Sequence, residues 1–363
     1  MLNKNCHITM NLIRAALHEE SLNFVNDGSI DWAYIYNIAR AQGVTAIVWK
    51  SVMGLMDEHG LTAEQMPDRR LKLRLALSAE TVVNRYELQR KSAASLADIF
   101  AEEGIRTVVM KGLAISTYYP QPQYRECGDL DCFLGEDYER GNRICERIGA
   151  YVSRDYYKHS TIKYRGLSVE NHRYFLPVRG SRKMKSFERH LRDIVLRGKT
   201  SYVQGTKLIV PSPDFNALFL TMHGLNHFLS EGIKLRHILD WALFLNAEQH
   251  NIDWEEFYRW TDKMHMTRFA DALTAICVKY LGLQIADPAI HTESPYAERI
   301  LYDTLFESDG INNKGYSPWK TRFMLVRRKL SSAWKYHKIY RRSVSIELLR
   351  SAWGFLFERD PKL

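Results

Sequence analysis

The sequence predicts an α+β fold, in which a small mixed β-sheet lies between an N-terminal and a C-terminal helical region. Two observations predict it. Apolar residues recur every three to four positions in residues 8–100 and again after residue 211, as they do on amphipathic helices. Between these regions the apolar runs are short, as in the β-branched "IRTVVM" (residues 105–110) and in "LDCFL" (residues 130–134), which is typical of strands.

A chain of 363 residues exceeds the usual size of one domain, and we expect three regions. They are an N-terminal helical region at 1–100, a mixed α/β core at 101–211 and a C-terminal helical region at 212–363. Hydrophobic residues make up 45% of the chain, which is enough for a packed core and excludes an intrinsically disordered protein.

No apolar run approaches the roughly 18–20 residues that a membrane-spanning helix needs, so we predict no transmembrane segment. The first residues carry acids within a helical pattern and lack the uninterrupted apolar run of a signal peptide. We therefore expect a cytoplasmic location.

Each element has its own signals. In the N-terminal region Asp31 is placed to cap a helix and Gly43 to end it, and a long helical pattern at 71–103 stops before Gly104. A short helix should begin at Leu113, directly after the first strand. The other predicted elements are a helix at 137–150, strands with hairpin-like turns at 151–176, and helices at 211–229, 234–248, 254–264 and 268–281.

The five cysteines are few, scattered and odd in number. They form no C-x-x-C pair, so neither a zinc knuckle nor a disulfide framework is indicated. Reduced thiols agree with the expected cytoplasmic location. The cysteines are Cys6, Cys127, Cys132, Cys145 and Cys277.

The net charge is +9, and the positive charge is concentrated near the C-terminus. Between Lys314 and Arg342 there is no Asp or Glu, whereas Lys and Arg recur with aromatic residues between them. Such a segment could follow the phosphate backbone of a nucleic acid, which makes nucleic acid a candidate partner of these basic C-terminal helices. The alternative is a pair of amphipathic helices with a solvated basic face.

Two carboxylates, Asp129 and Asp131, stand one residue apart at the start of a predicted strand. Residues i and i+2 of a strand face the same way, so both side chains could supply oxygens to a hard divalent cation such as Mg²⁺. Leu130 and Cys132 would then face the packed side of the sheet. A D-x-D pair alone also arises on exposed strand ends, and the surrounding residues must decide.

A Lys-Gly pair, Lys111-Gly112, follows the first predicted strand and precedes the short helix. Lys111 supplies a point charge for a phosphate, and Gly112 lets a ligand approach the backbone. Arg125 offers a planar guanidinium that could also hold a phosphate. An ordinary strand-to-helix turn with a solvated lysine is the alternative.

A third carboxylate, Glu170, alternates with apolar residues in "LSVENH" (residues 167–172) and shares a strand face with His172. From a neighbouring strand Glu170 could bind a metal ion or act as a base. An exposed strand glutamate would show the same pattern.

Two histidines, His223 and His227, stand four residues apart on one face of a predicted helix. Gly224 occupies the place of the glutamate that a metalloprotease requires, so that class is excluded. The pair could contact a substrate phosphate or the region of Glu170, or it could be ordinary helix packing. Arg236 and Asp240 are also four apart, which favours an intrahelical ion pair.

Taken together, Lys111-Gly112, Tyr119-Pro120, Arg125 and the stretch Gly128-Asp129-Leu130-Asp131 resemble the signature of a family of uncharacterised nucleotidyltransferases. The helices before them, Glu170-x-His172 and the histidine helix are similar to the flanking pattern of that family. The resemblance extends over most of the chain.

The resemblance implies the DNA polymerase β-like nucleotidyltransferase fold and two Mg²⁺ ions that align a nucleoside triphosphate (NTP). Asp129 and Asp131 match the first acid pair of that superfamily, and Glu170 is our assignment for the third acid. The superfamily usually has Gly-Ser where this chain has Lys111-Gly112, so the lysine would replace a hydroxyl with a charge.

We therefore expect an enzyme that moves a nucleoside monophosphate from an NTP to an unknown acceptor, a small molecule, a protein or RNA, and releases pyrophosphate. Phosphoryl transfer at the same metal site is one alternative. The other is a non-catalytic member of the fold that binds RNA or protein.

Overall fold

The computed structural model describes residues 2–18, 30–57, 65–179, 181–307 and 332–341. Within these residues one mixed sheet of seven strands has the order β3-β4-β5-β2-β1-β7-β6. All seven strands lie inside the predicted 101–211 region, and the α+β prediction is confirmed. The strands are β1 (Thr107–Met110), β2 (Leu130–Phe133), β3 (Tyr151–Ser153), β4 (His159–Tyr164), β5 (Leu167–His172), β6 (Ser201–Tyr202) and β7 (Leu208–Val210).

Within the described residues, helices precede, interrupt and follow the sheet, and the counts below refer to these residues. The first four come before it: α1 (Lys4–His18), α2 (Trp32–Ala41), α3 (Thr45–Asp57) and α4 (Arg69–Glu102). Three lie between strands: α5 (Gly112–Ser116), α6 (Tyr138–Arg147) and α7 (Arg182–Ile194). Five come after it: α8 (Pro213–Ser230), α9 (Leu235–Glu248), α10 (Trp254–Lys263), α11 (Thr267–Leu281) and α12 (Ala297–Phe306).

The structure confirms the residues that were predicted to begin helix α2 and to end helix α4. The Asp31 side chain accepts a hydrogen bond from the Tyr34 amide, 2.9 Å away, at the start of α2. Ser212 caps α8 by accepting from the Phe215 amide at 3.2 Å. Gly104 follows α4 with a φ of +74°, a conformation that glycine adopts without strain.

The sequence pattern does not predict α7, α12, β6 and β7. Helix α7 is dominated by charged residues, and its buried positions are few. Strands β6 and β7 have two and three residues, too few to show an alternating pattern. Strand β7 nevertheless pairs in parallel with β1 and thereby supports the strand that leads into Lys111.

The sheet has two packed faces. Cys132 and Val169 belong to an apolar cluster with α4 and α6, which includes Phe100 and Ile144. Residues of opposite orientation, such as Phe133, belong to a larger cluster with helices of both flanking regions. Because this larger cluster joins the flanking regions, the division into 1–100, 101–211 and 212–363 stays a prediction.

Most of the basic C-terminal segment lies outside the described residues. Within 332–341, Lys335 is buried and its Nζ lies 2.6 Å from Asp303 Oδ2. The same ammonium donates to the Phe228 carbonyl at 3.1 Å. Lys335 is therefore part of a buried ion pair and not of a solvated basic face.

In the described part of the chain, no helix combines the length and the apolar character that spanning a membrane requires. The five cysteines are all buried free thiols.

Candidate active site

A cavity of about 660 Å³ lies between the ends of the central strands and helices α8 and α9. It is lined by eight of the nine predicted site residues: Lys111, Gly112, Arg125, Asp129, Asp131, Glu170, His223 and His227. The ninth, His172, is 1% exposed and contacts two of the lining carboxylates. The fold thus gathers residues more than 100 positions apart in the sequence.

Asp131 and Glu170 lie side by side on neighbouring strands. Strands β2 and β5 are parallel, and their register pairs Asp131 directly with Glu170. Leu130 and Cys132 pack into the opposite cluster, as the alternation predicts. The two carboxylates are therefore presented on the face that borders the cavity.

The Asp131 carboxylate is held by two nitrogen groups although it is only 6% exposed. Lys111 Nζ lies 2.8 Å and His172 Nε2 lies 3.0 Å from the same oxygen, Oδ1. Burial alone raises the pKa of Asp131, but the charge of Lys111 and the hydrogen bond from His172 outweigh it and lower the pKa. Asp131 is consequently ionised at neutral pH.

Glu170 is bordered by two histidines. Its Oε2 lies 3.4 Å from Nε2 of His159 and 3.5 Å from Nε2 of His172. Burial raises the pKa of Glu170, and the proximity of Asp131 adds to this, but the two histidines reverse the balance and lower the pKa. The sequence analysis missed His159, which the pairing of β4 with β5 places opposite His172.

Asp129 does not lie on the strand with Asp131. Strand β2 begins at Leu130, and Asp129 is an exposed residue one position before it. The chain bends at Asp129 before the strand starts, so strand geometry alone does not place both aspartates on one face, and a shared face stays a prediction. Asp129 still lines the same cavity.

The turn at Lys111-Gly112 has an unusual backbone. Lys111 has a φ of +54°, which a residue with a side chain rarely adopts and which costs about 1–3 kcal/mol. Gly112 has a φ of +26° and begins α5. The strain coincides with the residue whose ammonium is bonded to Asp131.

Arg125 does not point at a free space where a phosphate could bind. It is 5% exposed and forms a bidentate ion pair with Asp240, from Nε to Oδ1 at 2.8 Å and from Nη2 to Oδ2 at 2.7 Å. The Tyr119 hydroxyl donates to the same carboxylate at 2.7 Å. Arg125 therefore connects the motif to α9, and the structure gives no support for its predicted phosphate contact.

The expected intrahelical pair of Arg236 with Asp240 is also replaced, since Asp240 is engaged by Arg125. Arg236 instead donates from Nη1 to the Glu126 carbonyl at 2.9 Å. The Gln89 side chain of α4 donates to the Gly128 carbonyl. The loop that leads to Asp129 and Asp131 is thus fixed from two sides.

Lys158, which the sequence analysis missed, lines the cavity just before β4. Its ammonium makes no hydrogen bond to another described residue. Burial lowers the pKa of Lys158, and the charge of Lys111 lowers it further. An anion bound in the cavity would counteract both causes and raise the pKa of Lys158.

The two predicted histidines of α8 are joined by His237 of α9, which the sequence analysis also missed. Nε2 of His223 and Nε2 of His227 lie 3.0 Å apart. Each of the three histidines offers a nitrogen within 4.8 Å of the other two. The four-residue spacing of His223 and His227 was visible in the sequence, whereas nothing in the sequence joined His237 to them.

The acidic group fits a divalent cation. Asp131, Glu170 and His172 offer ligand atoms that all lie within 4.8 Å of one another, and Asp129 is not a member of this group. In this structure Asp131 Oδ1 and His172 Nε2 form a hydrogen bond of 3.0 Å, which a bound cation would replace. His172 Nδ1 faces the Tyr174 carbonyl at 3.1 Å, a contact that orients Nε2 towards the carboxylates.

Comparisons with known proteins identify a family for this chain. The model of a family described as uncharacterised nucleotidyltransferase matches residues 28–282, more than two thirds of the chain. None of the curated proteins matches. Among solved structures, an antigenic nucleotidyltransferase-like protein from Paracoccidioides brasiliensis has a TM-score of 0.34 and 13% sequence identity over 57% of this chain and 98% of its own. Since the family match includes both the Lys111–Asp131 stretch and Glu170, this chain belongs to the family of uncharacterised nucleotidyltransferases.

Proposed function

We propose that the protein is a metal-dependent nucleotidyltransferase, which moves a nucleoside monophosphate from an NTP to an acceptor hydroxyl or similar group and releases pyrophosphate. The observation that carries this proposal is the direct pairing of Asp131 with Glu170 in a cavity that also contains Lys111 and Lys158. Paired carboxylates beside lysines are suited to a metal–triphosphate complex. The family match supports the same reaction class.

In this proposal Asp131, Glu170 and His172 hold one divalent cation, with Mg²⁺ as the expected metal. The bound cation would neutralise phosphate oxygens and make the α-phosphorus more electrophilic. The superfamily uses a second Mg²⁺ as well. Asp129, exposed at the cavity wall, would have to supply a carboxylate ligand to it.

In this proposal Lys111 and Lys158 bind the phosphate groups of the NTP. Lys111 lies beside Asp131, so an anion near this carboxylate would also meet an ammonium group. Lys158 brings a second ammonium to the same cavity. Together they supply the positive charge that the sequence analysis assigned to Lys111 and Arg125.

In this proposal Glu170 receives the proton from the acceptor, because its carboxylate borders the cavity beside Asp131. Its lowered pKa keeps it ionised at neutral pH, and His159 and His172 hold its Oε2. The acceptor itself, whether a small molecule, a protein or RNA, would enter between α8 and α9 and the sheet.

The direct test compares NTPs labelled at the α- or the γ-phosphate, incubated with Mg²⁺ and with separated small-molecule, RNA and protein fractions. Transfer of the α-label with release of pyrophosphate supports the proposal. Transfer of the γ-label with release of a nucleoside diphosphate would instead establish phosphoryl transfer. No transfer and no NTP binding by the folded protein would overturn both.

Replacing Lys158 with methionine should weaken Mg²⁺–NTP binding by about 10- to 100-fold, because a charge-assisted hydrogen bond contributes about 1.5–3 kcal/mol. Calorimetric titration with NTP, nucleoside diphosphate and nucleoside measures this effect. The loss should grow with the number of phosphates.

The matched control is Lys163→Met. Lys163 lies on the same hairpin, is exposed and donates to Ser168 at 2.7 Å. NTP affinity should be unchanged in this variant. An equal loss in the two variants, or a loss for the nucleoside as large as for the NTP, would contradict the phosphate role of Lys158.

A further inference from the structure

The histidine cluster, which we define as His223, His227 and His237, is not needed by the proposed transfer reaction. His223 and His227 lie one turn apart on α8, and His237 lies in the first turn of α9. All three border the cavity. Their rings are close, with centroids 4.3 Å apart for His223 and His227 and 5.4 Å apart for His227 and His237.

The chemical state of these rings suits metal ligands. Burial lowers the pKa of His237 to about 3, with Arg236 as a further cause. Burial and the nearby Lys111 lower the pKa of His223 well below its ordinary value. Both imidazoles are therefore neutral at physiological pH, which is the form that binds a metal ion.

His227 also has the orientation of a metal ligand. Its Nδ1 lies 2.5 Å from the carboxylate of Glu231, so Nδ1 carries the proton and Nε2 keeps its lone pair. This Nε2 faces Nε2 of His223 at 3.0 Å. Nitrogen ligands of a tetrahedral zinc ion lie roughly 3.3 Å apart, a distance that small side-chain adjustments would reach.

We propose that His223, His227 and His237 bind a divalent transition-metal cation of the zinc class, at a site separate from the acidic group of Asp131 and Glu170. Three imidazole nitrogens select such cations over Mg²⁺, which prefers oxygen ligands. A three-histidine set leaves one coordination position open, as in catalytic zinc sites. Because all three rings border the cavity, that position would face the space in which we place the substrates.

His237 has to lose or shift a ring proton before it can bind a metal ion. Its Nδ1 accepts a hydrogen bond from the Lys234 amide at 2.9 Å, so its proton sits on Nε2. A metal ion can bind this ring only after that proton is displaced. The same holds for His223, whose Nε2 must donate to the lone pair on Nε2 of His227 at 3.0 Å, so His227 is the ring already in the form that binds a metal ion.

The test uses the full chain without a histidine tag, freed of metal by a chelator and titrated with Co²⁺ without NTP. With excess Mg²⁺ present to occupy the acidic group, we expect the visible absorption of tetrahedral Co²⁺ to reach its maximum at one ion per chain and to be abolished by one equivalent of Zn²⁺. His223→Ala and His227→Ala should each lower the affinity at least tenfold, and Glu231→Gln should lower it about 10- to 100-fold.

Two controls separate this site from others. His291→Ala removes an exposed histidine outside the cluster, and Asp131→Asn changes only the acidic group. Both should bind Co²⁺ like the original chain. The proposal is overturned if no tetrahedral Co²⁺ spectrum forms, if it survives in His223→Ala with His227→Ala, or if it is lost in Asp131→Asn. None of these results depends on nucleotidyl transfer.

Discussion

Replacing Asp131 with asparagine is expected to reduce nucleotidyl transfer by at least about 100-fold. A catalytic metal ion contributes several kcal/mol to transition-state stabilisation, and each 1.36 kcal/mol is a factor of ten in rate. Asp131 contacts both Lys111 and His172, so its loss removes the central ligand of the proposed site. Single-turnover transfer of an α-labelled NTP measures the effect, with circular dichroism to establish that the variant folds.

Asp129→Asn is the informative comparison, because the two aspartates differ by one position. Asp129 is exposed and lies outside the group formed by Asp131, Glu170 and His172. If one metal ion suffices, Asp129→Asn should retain most of the activity. A loss as large as that of Asp131→Asn would show that Asp129 joins a second metal ion when NTP binds, and unchanged activity in Asp131→Asn would refute the site.

The largest expected effect on stability comes from Asp240→Asn, which should lower the free energy of unfolding by about 3–5 kcal/mol. Asp240 is 4% exposed and, among the described residues, is the only ion-pair partner of the buried Arg125. Removing one member of a buried pair leaves the other charge without compensation. Urea denaturation, followed by far-ultraviolet circular dichroism, measures the change.

Two further variants test the reason for this loss. Arg125→Met combined with Asp240→Leu should recover most of the stability, because the pair is then replaced by apolar side chains. Arg90→Met removes a partly exposed pair with Glu87 and should change stability by no more than about 0.5 kcal/mol. A loss below 1 kcal/mol in Asp240→Asn would show that the buried pair contributes little.

The pH dependence of unfolding provides an independent measurement. Burial raises the pKa of Asp240, but Arg125 more than compensates, and the pKa in the folded chain is lowered. The stabilisation by this group is therefore complete above the ordinary aspartate pKa of about 3.9 and is lost as the pH falls through the lower folded value. Asp240→Asn should lack this part of the acid sensitivity.

The sequence predicted the elements of the site better than their contacts. The strands that contain Asp131 and Glu170 were visible because apolar residues alternate around them, and their motif placed the acids near Lys111. The apolar pattern begins at Leu130, as the strand does, but it does not show that the residue before it, Asp129, lies at an exposed bend. Strand ends depend on which amides find partners, and a single sequence does not show this.

Arg125 and Lys158 show a second reason why the sequence alone does not predict the contacts of the site. Both are single basic residues in loops, and their roles depend on which carboxylate the fold brings near them. Asp240 lies 115 positions after Arg125, so only the packing of α9 against the core decides that Arg125 is neutralised. Among the described residues no carboxylate forms an ion pair with Lys158, and for this reason we assign it to a phosphate in the proposed reaction.

The separation of Arg125 from Asp240 also has a consequence for biosynthesis. At roughly 5–20 residues per second, a ribosome needs roughly 6 to 23 s to add the 115 residues between them. Throughout this interval the guanidinium has no counter-ion from α9, and the wall that carries the three histidines is incomplete. A nascent or prematurely terminated chain could thus contain every motif residue up to Glu170 and still lack an enclosed nucleotide pocket, so that competence to bind substrate arises only late in synthesis.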